Sequence, residues 1–311
     1  APHYSHACDM VRFVGEALAV VIADSVAQAK DGAEQVEVDY EVLPAVTDTV
    51  AAVAADAPRL YEEARSNVCL DADAGDREAT QAAFARAAHV VRFATRINRV
   101  TGVTMEPRAA VAEYDPGAQR YTLHAGSGGA VRLKDDLATV LNVPASQVRA
   151  VMRDIGGNFG TRGMIYPEFC AVAWAARKVG RPVKWTCERH EAFLADYQAR
   201  DLAVEAELAL DAQGNFLALR GSNIGNAGGH PTNFSPLQKG IEIMSSIYRM
   251  PCAFVRGRAV LSNTSPTRPY RSAGRPEVMY VMERLFDLAA RECGFDRIEL
   301  RARNLVTQAE L

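Results

Sequence analysis

The chain has 311 residues, 49% of them hydrophobic, with 35 Lys and Arg against 38 Asp and Glu and a formal net charge of −3. That length and apolar fraction support a buried core and one to three domains. The near-even charge excludes the strong positive field of a nucleic-acid or membrane-surface binder. The longest apolar stretch near a terminus, residues 17–23, is too short to span a bilayer.

Taken in chain order, residues 18–23 form an apolar β-branched run. Ser25 is placed to cap a helix over residues 26–34, and residues 36–40 alternate as a half-buried strand before Pro44. This β-α-β unit, residues 1–46, is small and reads as the end of a domain. Residues 47–83 are rich in Ala, Asp and Glu, contain Pro58 and Gly75, and read as a linker. A second body, residues 84–311, follows. Strands are predicted over 90–100, 109–114, 121–124, 148–153, 183–186, 203–210 and 216–224. Helices are predicted over 131–141, 167–178 and 277–291, the last two stopped by Gly180 and Gly294. The class is α+β, with strands and helices interleaved.

Six cysteines (Cys8, Cys69, Cys170, Cys187, Cys252 and Cys293) lie far apart with no Cys-x-x-Cys pair. This spacing fits reduced thiols in a cytosolic protein, and it excludes a local zinc knuckle or the usual local iron–sulfur pattern. His3, His6 and Cys8 are close enough for a metal cluster, or are simply a frayed terminus.

Three segments could hold an anionic ligand. Gly156-Gly-Asn-Phe-Gly-Thr-Arg162 is Gly-rich, so its backbone could approach a ligand, yet it fits neither a Walker loop nor a dinucleotide fingerprint. A plain turn and a ligand loop both remain open. Ala125-Gly-Ser-Gly-Gly129 precedes a predicted helix and is either an anion site or a tight turn. Ser127 fails the nucleophile-elbow pattern, because Ala125 stands at the first Gly position. Thr267-Arg-Pro-Tyr-Arg-Ser-Ala-Gly-Arg275 carries Arg268, Arg271 and Arg275, which suit a phosphate or carboxylate, or a solvated basic loop. Asn223-Ile-Gly-Asn-Ala-Gly-Gly-His230 reads as a loop whose lone His is satisfied or exposed rather than catalytic. A phosphate-binding transferase using the three arginines is one reading of the set.

The order of these segments resembles the xanthine oxidase family of molybdenum hydroxylases, in their molybdenum-binding large subunit. Val11-Arg-Phe-Val-Gly-Glu16 and Val36-Glu-Val-Asp-Tyr-Glu-Val-Leu-Pro44 resemble the end of the family's α/β hammerhead domain. Met105-Glu-Pro107, Gly156-Gly-Asn-Phe-Gly160 and Pro269-Tyr-Arg-Ser-Ala-Gly-Arg275 resemble its Glu-Pro element, cofactor loop and active-site loop. Glu283-Arg-Leu-Phe-Asp287 through Leu300-Arg-Ala-Arg-Asn-Leu305 resembles the stretch after that loop. The resemblance covers nearly the whole chain. It implies the end of a hammerhead domain followed by a mixed α/β cofactor-binding domain, as a fragment of a longer large subunit or as a split subunit.

The resemblance places Gly156, Gly157, Phe159, Gly160, Arg271 and Gly128 at the cofactor. It places Phe159, Lys239, Ser272 and Ala273 at the substrate pocket. Lys239 stands where the xanthine-oxidising branch has a substrate-binding Arg, keeping the charge without the fork. Gly128 replaces the family's Gln, and Ala273 replaces a Phe that sandwiches purines. Ser272 replaces the Cys of the carbon monoxide dehydrogenases proper, so no genuine CO oxidation is expected. The loop looks more like the Tyr-Arg-Gly-Ala-Gly-Arg form often labelled form II carbon monoxide dehydrogenase.

The implied activity is hydroxylation of an aldehyde or N-heterocyclic carbon, with water as oxygen source. The implied cofactor is molybdenum–molybdopterin in its cytosine dinucleotide form. Implied partners are an iron–sulfur small subunit and an FAD-binding medium subunit, in the cytoplasm. No Glu matches the family's Gly-x-Gly-Glu base, so no catalytic residue is assigned. A non-catalytic cofactor- or anion-binding relative is the alternative.

Overall fold

The structure, a computed structural model, describes residues 6–308; His3 lies outside them. Helix α1 (Val26–Glu34) forms as expected, with the Ser25 hydroxyl accepting the N–H of Gln28. The strands expected at residues 18–23 and 36–40 do not form. A strand needs a neighbour to receive its N–H and C=O groups, and no ladder among the described residues reaches these segments. Their apolar side chains Val20, Val36, Val38 and Tyr40 stay exposed.

The stretch expected as a linker instead carries strand β1 (Val68–Gly75) and helix α2 (Arg77–Ala85). The strand was hidden by its composition, since Asp71 and Asp73 sit on the more exposed alternate positions. Asp71 pairs with Arg256 at 2.8 Å across the ladder, and Asp76 caps α2 through the N–H of Ala79. There follow β2 (His89–Ile97), β3 (Val100–Thr101), β4 (Ala109–Asp115), β5 (Arg120–Ala125), α3 (Ala130–Leu141), β6 (Val148–Val151), α4 (Pro167–Val179) and β7 (Val183–Thr186). Then come α5 (Arg189–Ala195), β8 (Gln198–Ala199), β9 (Leu202–Leu210), β10 (Phe216–Gly228), α6 (Ser235–Glu242), β11 (Ala253–Leu261), α7 (Arg275–Cys293) and α8 (Arg297–Asn304). Apart from the two strands at 18–23 and 36–40, the elements expected from sequence are present within a few residues at their ends. The segment from Asn223 to Gly228, expected as a loop, is the second half of β10. Gly225 is paired on both sides, to Leu202 of β9 and Ala259 of β11, and Gly228 to Leu261 of β11 alone.

The chain folds as two compact units that interleave in sequence; one division falls between residues 45 and 46, beside the expected boundary, whereas residue 83 lies inside the second unit. The first comprises residues 1–45, 101–198 and 263–266. Its sheet runs β6-β5-β4-β7, with β5 and β6 parallel and joined through α3. Leu123, Leu133 and Leu137 from β5 and α3 pack against Phe169, Val172 and Ala173 of α4.

The second unit comprises residues 46–100, 199–262 and 267–311. Its sheet runs β1-β11-β10-β9-β2, antiparallel except for the β10–β11 pair joined through α6. Leu208 and Leu219 pack with Met282, Leu285 and Phe286 of α7, all fully buried. Each such side chain contributes about 1.5–3 kcal/mol by leaving water. On the other face Ala209 and Ala218 meet Ala83 of α2, so both faces are covered, as a sheet with a parallel pair requires.

Candidate functional site

In the first unit, two loops at strand ends carry the Gly-rich segments. The turn between β5 and α3 ends in Gly129, which caps α3 without any side-chain acceptor. A Cβ on Gly128 would lie 2.8 Å from Gly163 Cα, so this turn and the loop after β6 approach backbone to backbone. Only glycine fits there. The Ser127 hydroxyl donates to the Arg162 carbonyl at 3.4 Å.

The loop after β6 is held by the Met-Glu-Pro element. Glu106 donates its N–H to the Gly156 carbonyl at 3.2 Å, and its carboxylate accepts the Gly156 N–H at 2.8 Å. A Cβ on Gly156 would sit 2.4 Å from Glu106 Cβ, so this contact too demands glycine. The Arg162 side chain is 2% exposed. Its guanidinium donates to the carbonyls of Glu106 and Gly157 and lies 3.4 Å from the Glu106 carboxylate. Burial lowers the Arg162 pKa, against the pull of Asp196 and Glu106. Asn158 turns the loop by accepting the Gly160 N–H at 2.7 Å.

This anchoring holds Phe159 in an unusual state. Its φ is +52°, in the left-handed region, and the residue is 43% exposed. A bulky side chain there costs about 1–3 kcal/mol of backbone strain. Strain of that size persists when neighbours over-determine it, and the Glu106 and Arg162 bonds do so.

Below the loop, Arg108 follows the same element and is 1% exposed. It lies 2.6 Å from Glu168 and 2.5 Å from Asp196, with its guanidinium over the Tyr166 ring at 4.2 Å. Burial alone would lower its pKa, but Glu168, Tyr166 and Asp196 raise it overall. Cys187 lies 3.8 Å from Arg108, and burial pushes its thiol up to about 12.

In the second unit, the loop leading into α7 begins at Thr267. The Thr267 hydroxyl donates to the Asn226 carbonyl at 2.6 Å, and its N–H to Ala227 at 3.3 Å. Arg268 is buried, while Arg271, Ser272 and Arg275 are exposed. The three arginines are therefore not one solvated anion cluster. Ser272 has φ +66°, and Gly274 opens α7 with no side-chain cap. Arg275 donates back to the Ser272 carbonyl at 3.5 Å. Lys239, on α6, lies beside this loop: a Cβ on Gly274 would be 3.0 Å from Lys239 Cβ. Its ammonium pairs with Glu242 at 2.6 Å.

The structure thus gathers Gly128, Gly156, Gly157, Phe159 and Gly160 in the first unit, and Lys239, Arg271, Ser272 and Ala273 in the second. Residues that sequence reading passed over as site components are Glu106, Arg162, Arg200 and Glu277. Glu106 and Arg162 stood inside quoted motifs, but their bonds to backbone carbonyls and amides leave no periodic trace. His230 is 3% exposed and bonded to the Tyr61 hydroxyl at 3.0 Å, a satisfied core histidine. Among the described residues no group of three His, Cys, Asp or Glu could hold a metal ion.

Residues 60–305 match the model of the molybdopterin cofactor-binding domain. The chain is 37% identical to 6-hydroxypseudooxynicotine dehydrogenase complex subunit gamma of Paenarthrobacter nicotinovorans, across 99% of this chain and 39% of that protein. It is 32% identical to the carbon monoxide dehydrogenase large chain of Hydrogenophaga pseudoflava, across 97% and 40%. It superposes on the crystal structure of quinoline 2-oxidoreductase from Pseudomonas putida 86 with a TM-score of 0.93 at 33% identity, covering 99% of this chain and 39% of that one. The chain spans about two fifths of the length of these relatives. A domain match over most of the chain, together with relatives of 37% and 32% identity along nearly its whole length, makes it a member of the molybdopterin cofactor-binding family, among the molybdenum-binding large subunits related to xanthine oxidase.

Proposed function

We propose that the chain contributes one part of the cofactor and substrate site of a molybdenum hydroxylase acting on an N-heteroaromatic ring or an aldehyde. The observation that carries this reading is Phe159, an aromatic held half-exposed in a left-handed backbone by Glu106 and Arg162. Strain preserved around an exposed ring is the mark of a working surface rather than of a packing element.

The donor set fits a phosphate-bearing pterin. Helices α3 and α7 both start at a glycine with no side-chain cap. A Cβ on Gly129 would meet nothing within 4 Å. The start of α3 offers first-turn N–H groups and a positive dipole end to an anion, whereas at α7 the Arg275 N–H is already bonded to the Ser272 carbonyl and Pro276 has none. Gly156, Gly157, Gly160 and Gly128 would let backbone approach the cofactor, and Arg271 would lie against it. When bound, the cofactor supplies the oxidative chemistry. The chain's own residues position. Phe159 gives a flat wall for a planar ring. Lys239 offers a point charge, shared with Glu242, where a forked guanidinium would grip harder.

Relatives named for quinoline, nicotine and 6-hydroxypseudooxynicotine support an N-heterocyclic substrate. Ser272 supplies no thiolate for copper, which weighs against CO. Iron–sulfur and FAD subunits as electron acceptors, the cytosine dinucleotide form of the cofactor and a cytoplasmic site complete the proposal. No helix among the described residues is long and apolar enough to cross a membrane. The alternative, a non-catalytic binding relative, draws on Gly128 standing in place of Gln.

The test is the full-length protein purified with its partner subunits. Molybdenum and pterin content near one per large subunit, with dye reduction by quinoline, nicotinate or benzaldehyde but not by CO, is the expected result. Absence of molybdenum and pterin sinks the reading. Cofactor without turnover on any of these moves the binding alternative ahead.

A further inference from the structure

Between β8 and β9 stand two consecutive non-glycine residues in the left-handed region, Arg200 at φ +66° and Asp201 at φ +65°. L-residues visit this region singly, and mostly as Asn or Asp. A pair containing Arg is held there by something, and both side chains show what.

Asp201 faces the sheet. Its carboxylate accepts from the Thr49 hydroxyl at 2.7 Å, from Arg99 Nε at 2.9 Å and from Asn226 Nδ2 at 3.0 Å. Its carbonyl accepts the Asn226 N–H at 3.0 Å. Asn226 sits where the β10–β11 register shifts, and its carbonyl takes the hydroxyl of Thr267, the first residue of the loop into α7.

Arg200 faces that loop. Its Nη1 donates to the Tyr270 carbonyl at 3.1 Å and to Glu277 Oε1 at 2.7 Å, and its Nη2 reaches the Arg271 carbonyl at 3.4 Å. Its guanidinium also lies 5.2 Å from the Tyr270 ring centroid. Glu277 is 5% exposed and sits in the first turn of α7. One strained dipeptide thereby fixes the loop at its start through Asn226, at its middle through two carbonyls, and at its end through Glu277. The residues between these grips are Arg271, Ser272 and Ala273.

We propose that Arg200 is a positioning residue for the cofactor and substrate loop. It acts through the carbonyls of Tyr270 and Arg271 and the carboxylate of Glu277, not by touching substrate. A forked, planar donor is needed, since one ammonium cannot hold two carbonyls and a carboxylate in fixed directions. The assignment rests on the proposed function for its catalytic consequence, whereas the grip on the loop stands on geometry alone.

The test is Arg200→Lys and Glu277→Gln in the full-length protein within its complex, read two ways. The first is hydrogen exchange by mass spectrometry. Amides of residues 270–274 are expected to exchange faster by about tenfold or more, while those of β9 and β10 keep their protection. The second is steady-state dye reduction at unchanged molybdenum content. Here kcat is expected to fall by about 100-fold, as for a misplacement of the order of 1 Å, with KM changing far less. Lysine at 200 does not restore either readout, although it keeps the charge.

Unchanged exchange at 270–274 in Arg200→Lys overturns the grip, as does a uniform rise across β9 and β10. A loosened loop with wild-type kcat overturns the positioning role. A wild-type complex without molybdopterin sinks the proposed function, and the exchange readout still decides the grip.

Discussion

Glu106 and Gly156 bond reciprocally: the Glu106 N–H donates to the Gly156 carbonyl at 3.2 Å, and the Gly156 N–H donates to the Glu106 carboxylate at 2.8 Å. Glu106→Ala keeps the first bond and loses the second, together with the carboxylate 3.4 Å from Arg162, whose bonds to the Glu106 and Gly157 carbonyls remain. A hydrogen bond to a charged group is worth about 1.5–3 kcal/mol, and with the Glu106 side chain 40% exposed the expected loss lies at the lower end of that range. Glu106→Gln, which can still accept, is expected to recover most of it. Urea midpoints at constant slope measure both variants. Equal midpoints for Ala and wild type would show that the carboxylate holds nothing.

Gly128 cannot carry a side chain where it stands, because a Cβ meets Gly163 at 2.8 Å. Gly128→Gln, which restores the family's residue, is therefore expected to part the two loops rather than add a contact. Overpacking of this kind costs about 1–3 kcal/mol. A Tm at or above wild type would refute the argument.

Phe159 is strained and half exposed, so removing its ring has opposite effects on stability and work. Phe159→Gly is expected to leave the Tm unchanged or slightly raised, since glycine accepts φ +52° freely. Turnover of a planar substrate by the full complex is expected to fall, chiefly through KM. Calorimetry and kinetics on the same preparation check the split.

Arg108 is the buried cation shared by Glu168 and Asp196. Arg108→Ala is expected to cost about 3–5 kcal/mol by leaving two carboxylates without their counter-charge. Adding Glu168→Gln and Asp196→Asn should recover part of that loss. A double-mutant cycle on denaturation measures it, and strict additivity would mean no coupling.

All six cysteines are free thiols. Burial raises Cys69 to about 11, and Cys170 and Cys187 to about 12, from an ordinary value of 9. At pH 8 these three stay protonated in the folded protein and resist alkylation, while exposed Cys8 reacts. The sign for stability follows. Above pH 9 the unfolded chain loses thiol protons that the folded chain keeps, so stability falls between pH 9 and about 11–12. Mass spectrometry after timed iodoacetamide treatment at pH 7, 8 and 9 checks the first part, and denaturant midpoints from pH 8 to 10 check the second.

Much of the periodic structure was legible from sequence. Ser25 as a cap, Gly180 and Gly294 as stops and the apolar face of α7 are local signals, and the structure repeats them. Strand β1 was not legible, because its outward aspartates look like linker composition until Arg256 on β11 stands opposite. Residues 36–40 failed in the reverse sense, having a strand's alternation with no partner ladder among the described residues. The glycines and Phe159 of the candidate site were legible as a motif. The arginines that fix those loops were not, because nothing in an Arg-Asp pair announces two left-handed residues.

Strand β1 pairs with β11, so that Val68 lies opposite Val260 across most of the chain. The anchors of the loop into α7 are scattered likewise, at residues 49, 99, 200, 226 and 277. Contacts so distant in sequence close late and slowly. The loop bearing Arg271 therefore gains its grip from Glu277 only once α7 is in place, which makes its order a late product of folding rather than a local property of its own sequence.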